Sequence, residues 1–193
     1  MEILEVLDTI ITNLLNLLGT WGALLGCVFI LFESIIPILP LSVFITLNFM
    51  TFGNIVGFFI SWLFTIMGCM MSYYIFRRGV SDSRLSKLKE SKTFGKIVKV
   101  VENMNFSSLA LLIAIPFTPA FAVNIAAGIC RVDSKKYLYA LMLGKMSLVY
   151  FWGYVGVSLI EALKNPLILI KVAILVIIVY IISLVLSKKL KVK

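Results

Sequence analysis

Histidine is absent from this chain, and acidic side chains are scarce, with nine Asp and Glu against eighteen Lys and Arg. Without histidine, neither a histidine proton relay nor the usual zinc site can be assembled. The three cysteines, Cys27, Cys69 and Cys130, lie far apart in apolar runs and form no CxxC pair. Each is therefore predicted to be a small buried apolar side chain, and no metal or cofactor is expected.

Charge of either sign is also rare, because only 14% of the residues are charged while 61% are hydrophobic. A soluble domain has about 25% charged residues, so this composition predicts an integral membrane protein. Long apolar runs, some with the roughly 20 residues that a helical span needs, follow one another along the chain. They are Gly19–Phe32, Ile35–Phe52, Ile55–Phe76, Phe106–Cys130, Tyr137–Ile160 and Pro166–Leu186.

Three segments are predicted. Residues 1–18 alternate apolar and polar positions as an amphipathic helix does, and no basic residue precedes their apolar positions. They lack the positive start of a signal peptide and are expected to be retained. Residues 19–186 form one membrane domain, and residues 187–193 form a basic tail with four lysines.

The net charge of +9 is concentrated in two places that adjoin apolar runs. Arg77–Glu102 carries eight Lys and Arg against three acids, and the tail carries the four lysines. Both are predicted to face the cytoplasm by the positive-inside rule and to meet anionic lipid head groups. Binding of nucleic acid is not expected, because each basic cluster adjoins a span.

Two Pro-x-x-Pro breaks, Pro37 to Pro40 and Pro116 to Pro119, interrupt apolar runs. Proline removes a backbone donor, and a broken helix at membrane depth must be surrounded by protein or by a water-filled cavity. Counting spans backward from the cytoplasmic tail puts the basic loop Arg131–Lys136 inside. Phe106–Cys130 is then a hairpin open to the cytoplasm, and the first hairpin opens outward. The sequence predicts an all-α, polytopic membrane protein with two re-entrant helical hairpins in an inverted repeat.

Three motifs occur in order along the chain. The first runs from Phe32 through Glu33 to Pro40, the second from Ser72 to Gly79, and the third from Ile115 to Tyr137. The third contains Pro116 and Pro119, followed by Asn124, Gly128 and Arg131. Together, over about Gly22 to Gly156, they resemble the DedA family, also called the SNARE-associated Golgi protein or VTT-domain family.

The resemblance implies two facing re-entrant hairpins and the movement of lipids between leaflets, with undecaprenyl phosphate or a phospholipid as cargo. Some members are thought to use the proton gradient, through an acid in the first hairpin and arginines in the second. Glu33 matches that acid. The chain departs from the pattern at Ile113, where an arginine is often found, and at Phe76, where a glycine is. Arg77, Arg131 and Lys145 are the cations available instead.

Several of these residues have a structural alternative to the transport role. Glu33 either serves the mechanism, since a charge in an apolar run costs at least about 2.5 kcal/mol, or is solvated at a hairpin mouth. Lys145 either acts in the bundle or extends to the cytoplasmic face. Asn124 offers its amide to a broken-helix carbonyl or to a phosphate. Arg77 sits where a topological anchor belongs.

The predicted function is that of a lipid flippase or scramblase in the cell membrane, with membrane lipids as partners and a homo-oligomer as one possible assembly. No catalytic chemistry is expected. The alternatives are a proton-coupled small-ion transporter, which Glu33 alone would permit, and a membrane-bound lipid phosphatase, for which the nucleophile and acid–base pair are lacking.

Overall fold

The computed structural model describes residues 22, 25–35, 40–79, 94–163 and 165–190. The predicted amphipathic segment 1–18, Pro37 and residues 191–193 lie outside this part of the chain. All regular secondary structure within it is helical, which confirms the predicted all-α class. The helices are α1 (residues 25–33), α2 (Leu41–Gly79), α3 (Phe94–Glu102), α4 (Phe106–Ala114), α5 (Ala120–Ile129), α6 (Ser134–Glu161) and α7 (Leu167–Lys189).

Helix α2 folds back on itself at Gly53. Gly53 has φ 76° and ψ 171°, a conformation that only glycine adopts readily. The side-chain Nδ2 of Asn48 donates to Ser61 Oγ at 3.0 Å. Thirteen residues of straight helix would instead separate the two residues by about 20 Å. A Cβ on Gly57 would lie 2.5 Å from the carbonyl oxygen of Asn48. The helix therefore consists of two arms, residues 41–52 and 54–79.

The long second arm of α2 pairs with α6 in the opposite direction. Near one end the Trp62 indole donates to the carbonyl oxygen of Met142 at 2.9 Å, and farther along Tyr73 OH lies 3.1 Å from Ser134 Oγ. Both elements, and α7, are long and apolar enough to cross a membrane. The two ends of this pair are called here the Gly53 end and the Arg77 end.

Helix α1 and the first arm of α2 form the first hairpin. A Cβ on Gly26 would meet Leu47 and Asn48, whereas Ser34 and Leu31 lie against Gly68, farther toward the Arg77 end. The chain thus runs inward along α1 as far as Ser34 and Ile35, and it returns along residues 41–52. Both outer ends of this hairpin lie at the Gly53 end.

Helices α4 and α5 form the second hairpin, with residues 115–119 between them. Its break falls at the predicted Pro116 to Pro119 segment, because proline cannot donate the backbone bond that would continue α4. Ala110 and Ile113 of α4 lie against Gly144, whereas Gly128 of α5 lies against the backbone of Tyr73. The hairpin therefore returns to the Arg77 end.

The two hairpins point in opposite directions along the same pair of long helices. This arrangement has the polarity expected of an inverted repeat. Entry of either hairpin into a bilayer without crossing it stays a prediction, as does the assignment of the Arg77 end to the cytoplasm.

Local sequence signals set where α4 and α6 begin. Asn105 precedes α4 and accepts from the backbone of Ser108 at 2.8 Å, and Asp133 precedes α6 and accepts from the backbone of Lys136 at 2.8 Å. These are the side-chain caps that Asn and Asp supply at helix starts. They set where the second hairpin begins and where α6 leaves the loop behind it.

Helix α7 packs against α6 through Val172, which contacts the cluster of Phe151 and Val155. Most of its other side chains are exposed, and most of the exposed ones are apolar, including Ile170, Ile177 and Val185. An apolar surface of this size is what a lipid-facing helix presents. The prediction of a span at Pro166–Leu186 agrees with α7 to within three residues at each end.

Candidate functional site

The inner end of the first hairpin meets α5 of the second hairpin at a buried polar contact. Asn124 of α5 donates from Nδ2 to the carbonyl oxygen of Ser34 at 3.4 Å, and it accepts at Oδ1 from the hydroxyl of Tyr137 at 2.6 Å. All three residues are at most 3% exposed. Ser34 follows the last turn of α1, where carbonyl oxygens lack a partner within the helix. Asn124 therefore satisfies a broken-helix carbonyl, the first of its two predicted roles.

Glu33 and Lys145 lie within electrostatic range of each other beside this contact. Glu33 is the residue before Ser34 and is partly buried, whereas Lys145 lies on α6 and is only 1% exposed. The lysine side chain does not extend to the protein surface, which favours its role in the bundle over its predicted snorkelling alternative. The structure thus brings the acid of the first hairpin and the isolated lysine to one region.

A row of buried polar side chains continues from this region along the second arm of α2. Ser61, Thr65 and Ser72 have no exposed surface. Thr65 donates to the carbonyl oxygen of Ser61 at 2.6 Å, whereas Ser72 Oγ has no hydrogen-bond partner among the described residues. Asn48 Oδ1 is unpaired in the same sense. Buried polar atoms without partners are uncommon. Together these side chains make this part of the interior polar, although the composition of the chain is mostly apolar.

Arg77 acts as an anchor at the end of α2. Its guanidinium donates to the carbonyl oxygen of Val132 at 2.8 Å and to the hydroxyl of Tyr73, and it lies 5.5 Å from the centre of the Tyr73 ring. Tyr73 OH donates in turn to the same carbonyl oxygen. Arg77 therefore joins α2 to the loop after the second hairpin, and its predicted role as a topological anchor stays a prediction.

Arg131 occupies the left-handed position that ends α5, with φ 52°. The backbone of Val132 bonds to the carbonyl oxygen of Ala127 at 3.1 Å, and that of Arg131 bonds to Gly128 at 3.0 Å. These two bonds are a Schellman motif, whose left-handed position usually carries glycine. The side chain of Arg131 is exposed at the Arg77 end, so it does not lie beside Glu33.

The remaining predicted site residues shape the hairpins. A Cβ on Gly128 would lie 2.5 Å from the carbonyl oxygen of Tyr73, so this glycine permits α5 and α2 to touch. Pro116 and Pro119 flank the break of the second hairpin, and Pro40 precedes α2. Ile113, one of the two positions at which the chain departs from the resembled DedA pattern, is buried against Gly144.

Sequence reasoning missed Ser34 as a site residue and used Tyr137 only as part of a motif. No pattern in the sequence marks Ser34, because its contribution is a backbone oxygen. Among the described residues no three His, Cys, Asp or Glu side chains come together as metal ligands would.

The family model of the VTT domain matches residues 39–158. The chain belongs to the VTT-domain family. This confirms the resemblance to DedA proteins, and the match covers the first arm of α2 through most of α6. The VTT domain of this chain therefore contains Asn124, Tyr137 and Lys145, while Glu33 and Ser34 precede the matched range.

Two relatives from Bacillus subtilis (strain 168) resemble this VTT-domain protein. The "Uncharacterized membrane protein YhjE" is 29% identical over 147 residues, which cover 76% of this chain and 71% of the relative. The "Uncharacterized protein YqeD" is 22% identical over 128 residues, which cover 66% of this chain and 62% of the relative. No solved structure matches the chain. The description of the first relative as a membrane protein supports the view that this chain is a membrane protein. It mentions no substrate.

Proposed function

We propose that this VTT-domain protein moves an amphipathic lipid, such as undecaprenyl phosphate or a phospholipid, between the leaflets of the cell membrane. The observation that carries the proposal is the meeting of two oppositely directed hairpins at Ser34 and Asn124, with Glu33 and Lys145 beside them. A head group crossing the bilayer needs a polar path, and charged residues at membrane depth are expected where such a path exists. The described part of the chain contains three apolar helices of span length, which support the membrane setting.

The test is reconstitution of the purified protein into liposomes that carry a fluorescent lipid in both leaflets, followed by a membrane-impermeant quencher. Lipid movement makes the inner-leaflet label accessible, so fluorescence falls below the plateau of protein-free liposomes. A plateau equal to that of protein-free liposomes, with the protein folded and inserted, would overturn the proposal. Phosphate release from the same lipid, measured in parallel, tests the phosphatase alternative.

A proton-coupled small-ion transporter is the second candidate, because the partly buried carboxyl group of Glu33 is by itself a group that could exchange a proton. Liposomes loaded with a pH-sensitive dye separate the two functions. Proton uptake that depends on Glu33 and continues without lipid movement would favour ion transport.

A further inference from the structure

Two cavities lie one above the other between α4 and α7. The first, of about 440 Å³, is at the Arg77 end and is lined by Asn105 before α4, by Ser108 of α4 and by Lys189 of α7, with Lys99 of α3 beside them. The second, of about 200 Å³, is lined farther along the same two helices, by Leu111 and Ala114 of α4 and by Val179 to Leu186 of α7.

The lining residues follow one face of each helix. On α4 they recur at Ser108 and Leu111, and on α7 at Lys189 and Leu186, in the three-residue steps that keep side chains on one side of a helix. From Lys189 to Val179 the wall of α7 is about 15 Å long. The two cavities therefore follow each other along the same faces of α4 and α7, and together they are named here the α4–α7 groove.

The groove changes character along its length. Its outer part carries two lysines from distant parts of the chain, and Asn105 also leaves its NH₂ free to donate, since its Oδ1 already accepts from the backbone of Ser108. Its inner part is bounded by apolar side chains and Pro116, with Ser147 and Ser183 as the polar exceptions. Phe117 contacts Tyr180 at 5.4 Å between ring centres, beyond Ser183 along α7.

We infer that the α4–α7 groove holds one lipid with an anionic phosphate head group, its phosphate between Lys99 and Lys189 and part of its chain in the inner cavity. Charge complementarity selects the head group, because none of the described residues that line the outer cavity is acidic. The polarity change selects a lipid over free phosphate. An apolar cavity of about 150 Å³ already binds benzene, so the inner cavity admits a segment of an acyl or isoprenyl chain.

The position of the groove agrees with this occupant. Lys189 ends α7, the most apolar of the three span-length helices, so the outer cavity lies where head groups of the adjacent leaflet are found. The inner cavity touches the second hairpin at Pro116. This inference goes beyond the proposed function, because a lipid held in the groove is detectable in a protein that moves no lipid at all.

Native mass spectrometry of the detergent-purified full chain tests the head-group end. Dioleoyl phosphatidic acid is titrated against wild type, Lys189→Gln and Lys188→Gln, a matched pair of neighbouring exposed lysines of which only Lys189 lines the groove. We expect Lys189→Gln to weaken binding about fivefold, from the loss of one lysine near a phosphate, and Lys188→Gln to leave it within about twofold. Lys99→Gln should repeat the effect of Lys189→Gln. Equal losses at Lys188 and Lys189, or equal binding of dioleoyl phosphatidylcholine, would overturn the inference.

A second pair of variants tests the inner cavity, where the lipid chain is expected. Ser147→Trp places an indole in the inner cavity, whereas Met146→Trp places it on the neighbouring exposed position outside it. Bound phosphatidic acid should fall severalfold in the Ser147 variant only, with both variants melting near the wild-type temperature. Unchanged binding in Ser147→Trp would contradict the proposal, because the lipid chain would not occupy the inner cavity. Full displacement of the lipid by an equal concentration of inorganic phosphate would contradict it too, because the lipid chain would then add nothing to binding.

Discussion

Asn124 of the second hairpin donates a hydrogen bond from Nδ2 to the carbonyl oxygen of Ser34 on the first hairpin, at 3.4 Å. The bond is long, but the Asn124 amide is fixed from its other side, because Tyr137 OH donates to Oδ1 at 2.6 Å. One side chain thus connects α6 and both hairpins. Any motion that separates the hairpins must break the contact between Asn124 and Ser34.

Replacement of Asn124 by alanine leaves the Tyr137 hydroxyl buried without its acceptor. A buried polar group without a partner costs about 1–3 kcal/mol, so Asn124→Ala should lower the free energy of unfolding by that amount in detergent. Tyr137→Phe in the same chain removes the stranded hydroxyl. The double variant should therefore lose less stability than the sum of the single variants, and additive losses would show that the two residues are not coupled.

Gly128 should tolerate no side chain. A Cβ there would lie 2.5 Å from the carbonyl oxygen of Tyr73, which is backbone and cannot move aside cheaply. Gly128→Ala is expected to destabilise the protein by about 1–3 kcal/mol, as overpacking does. The matched control is Gly79→Ala, because nothing lies within 4 Å of a Cβ at Gly79. Equal melting temperatures for the two variants would mean that α5 does not approach α2 as described.

The spans were predictable because apolar composition is a local property of the sequence. The predicted run Ile55–Phe76 lies within the second arm of α2, and Tyr137–Ile160 lies within α6. The break at Pro116 was equally predictable, since proline disrupts a helix whatever surrounds it. The reversal at Gly53 was harder to predict, because a glycine in an apolar run serves either close packing or a turn. Here Gly57 packs against the backbone of Asn48, while Gly53 supplies the turn.

The site was harder to predict because its contacts join residues far apart in the chain. Asn124 was identified as a polar residue in an apolar run, but its partner is a backbone oxygen ninety residues away. Arg77 illustrates the opposite limit. Its charge and position mark it as a candidate cation or a topological anchor, and only the three-dimensional contacts with Tyr73 and Val132 show that it joins α2 to the loop after α5.

Arg131 provides a test of the helix end that follows the second hairpin. Arg131→Gly and Arg131→Ala both remove the guanidinium and differ only in their tolerance of φ 52°. The glycine variant should be more stable than the alanine variant by about 1 kcal/mol, the cost of left-handed backbone for a residue with a Cβ. Thermal unfolding in detergent measures the difference. Equal stability would indicate that the left-handed position is not maintained in solution.

The topology can be tested by cysteine labelling in intact cells. Asn103 and Lys135 flank the second hairpin at the Arg77 end, whereas Asn54 lies beside the turn at the Gly53 end, and all three are exposed. Single cysteines at Asn103 and Lys135 should resist an impermeant thiol reagent, and a cysteine at Asn54 should react. The parent chain reports the background of its own cysteines. Opposite labelling of Asn103 and Lys135 would make the second hairpin an ordinary span.

Glu33 and Lys145 carry the sharpest prediction about mechanism. The two residues lie within electrostatic range, and Lys145 is almost completely buried. Removing one member of a charge pair leaves the other charge without its partner, which is costly for a buried lysine, whereas replacing both by neutral groups of similar volume is often tolerated. If the pair is structural, Glu33→Gln should lower stability and lipid movement together, and Glu33→Gln with Lys145→Met should restore much of both.

A proton-exchanging Glu33 predicts a different result. Glu33→Gln would then leave the protein folded and inserted but abolish the pH dependence of lipid movement, because glutamine binds no titrating proton. Lys145→Met in the wild-type background is the matched control: it removes the neighbouring charge and keeps the carboxyl group, so the pH dependence should shift along the pH axis and persist. Liposome assays at several pH values, with inserted protein quantified in each sample, distinguish the two roles. Wild-type rates and an unchanged pH profile in Glu33→Gln would exclude this residue from the mechanism, since the carboxyl group is the only titrating feature that the substitution removes.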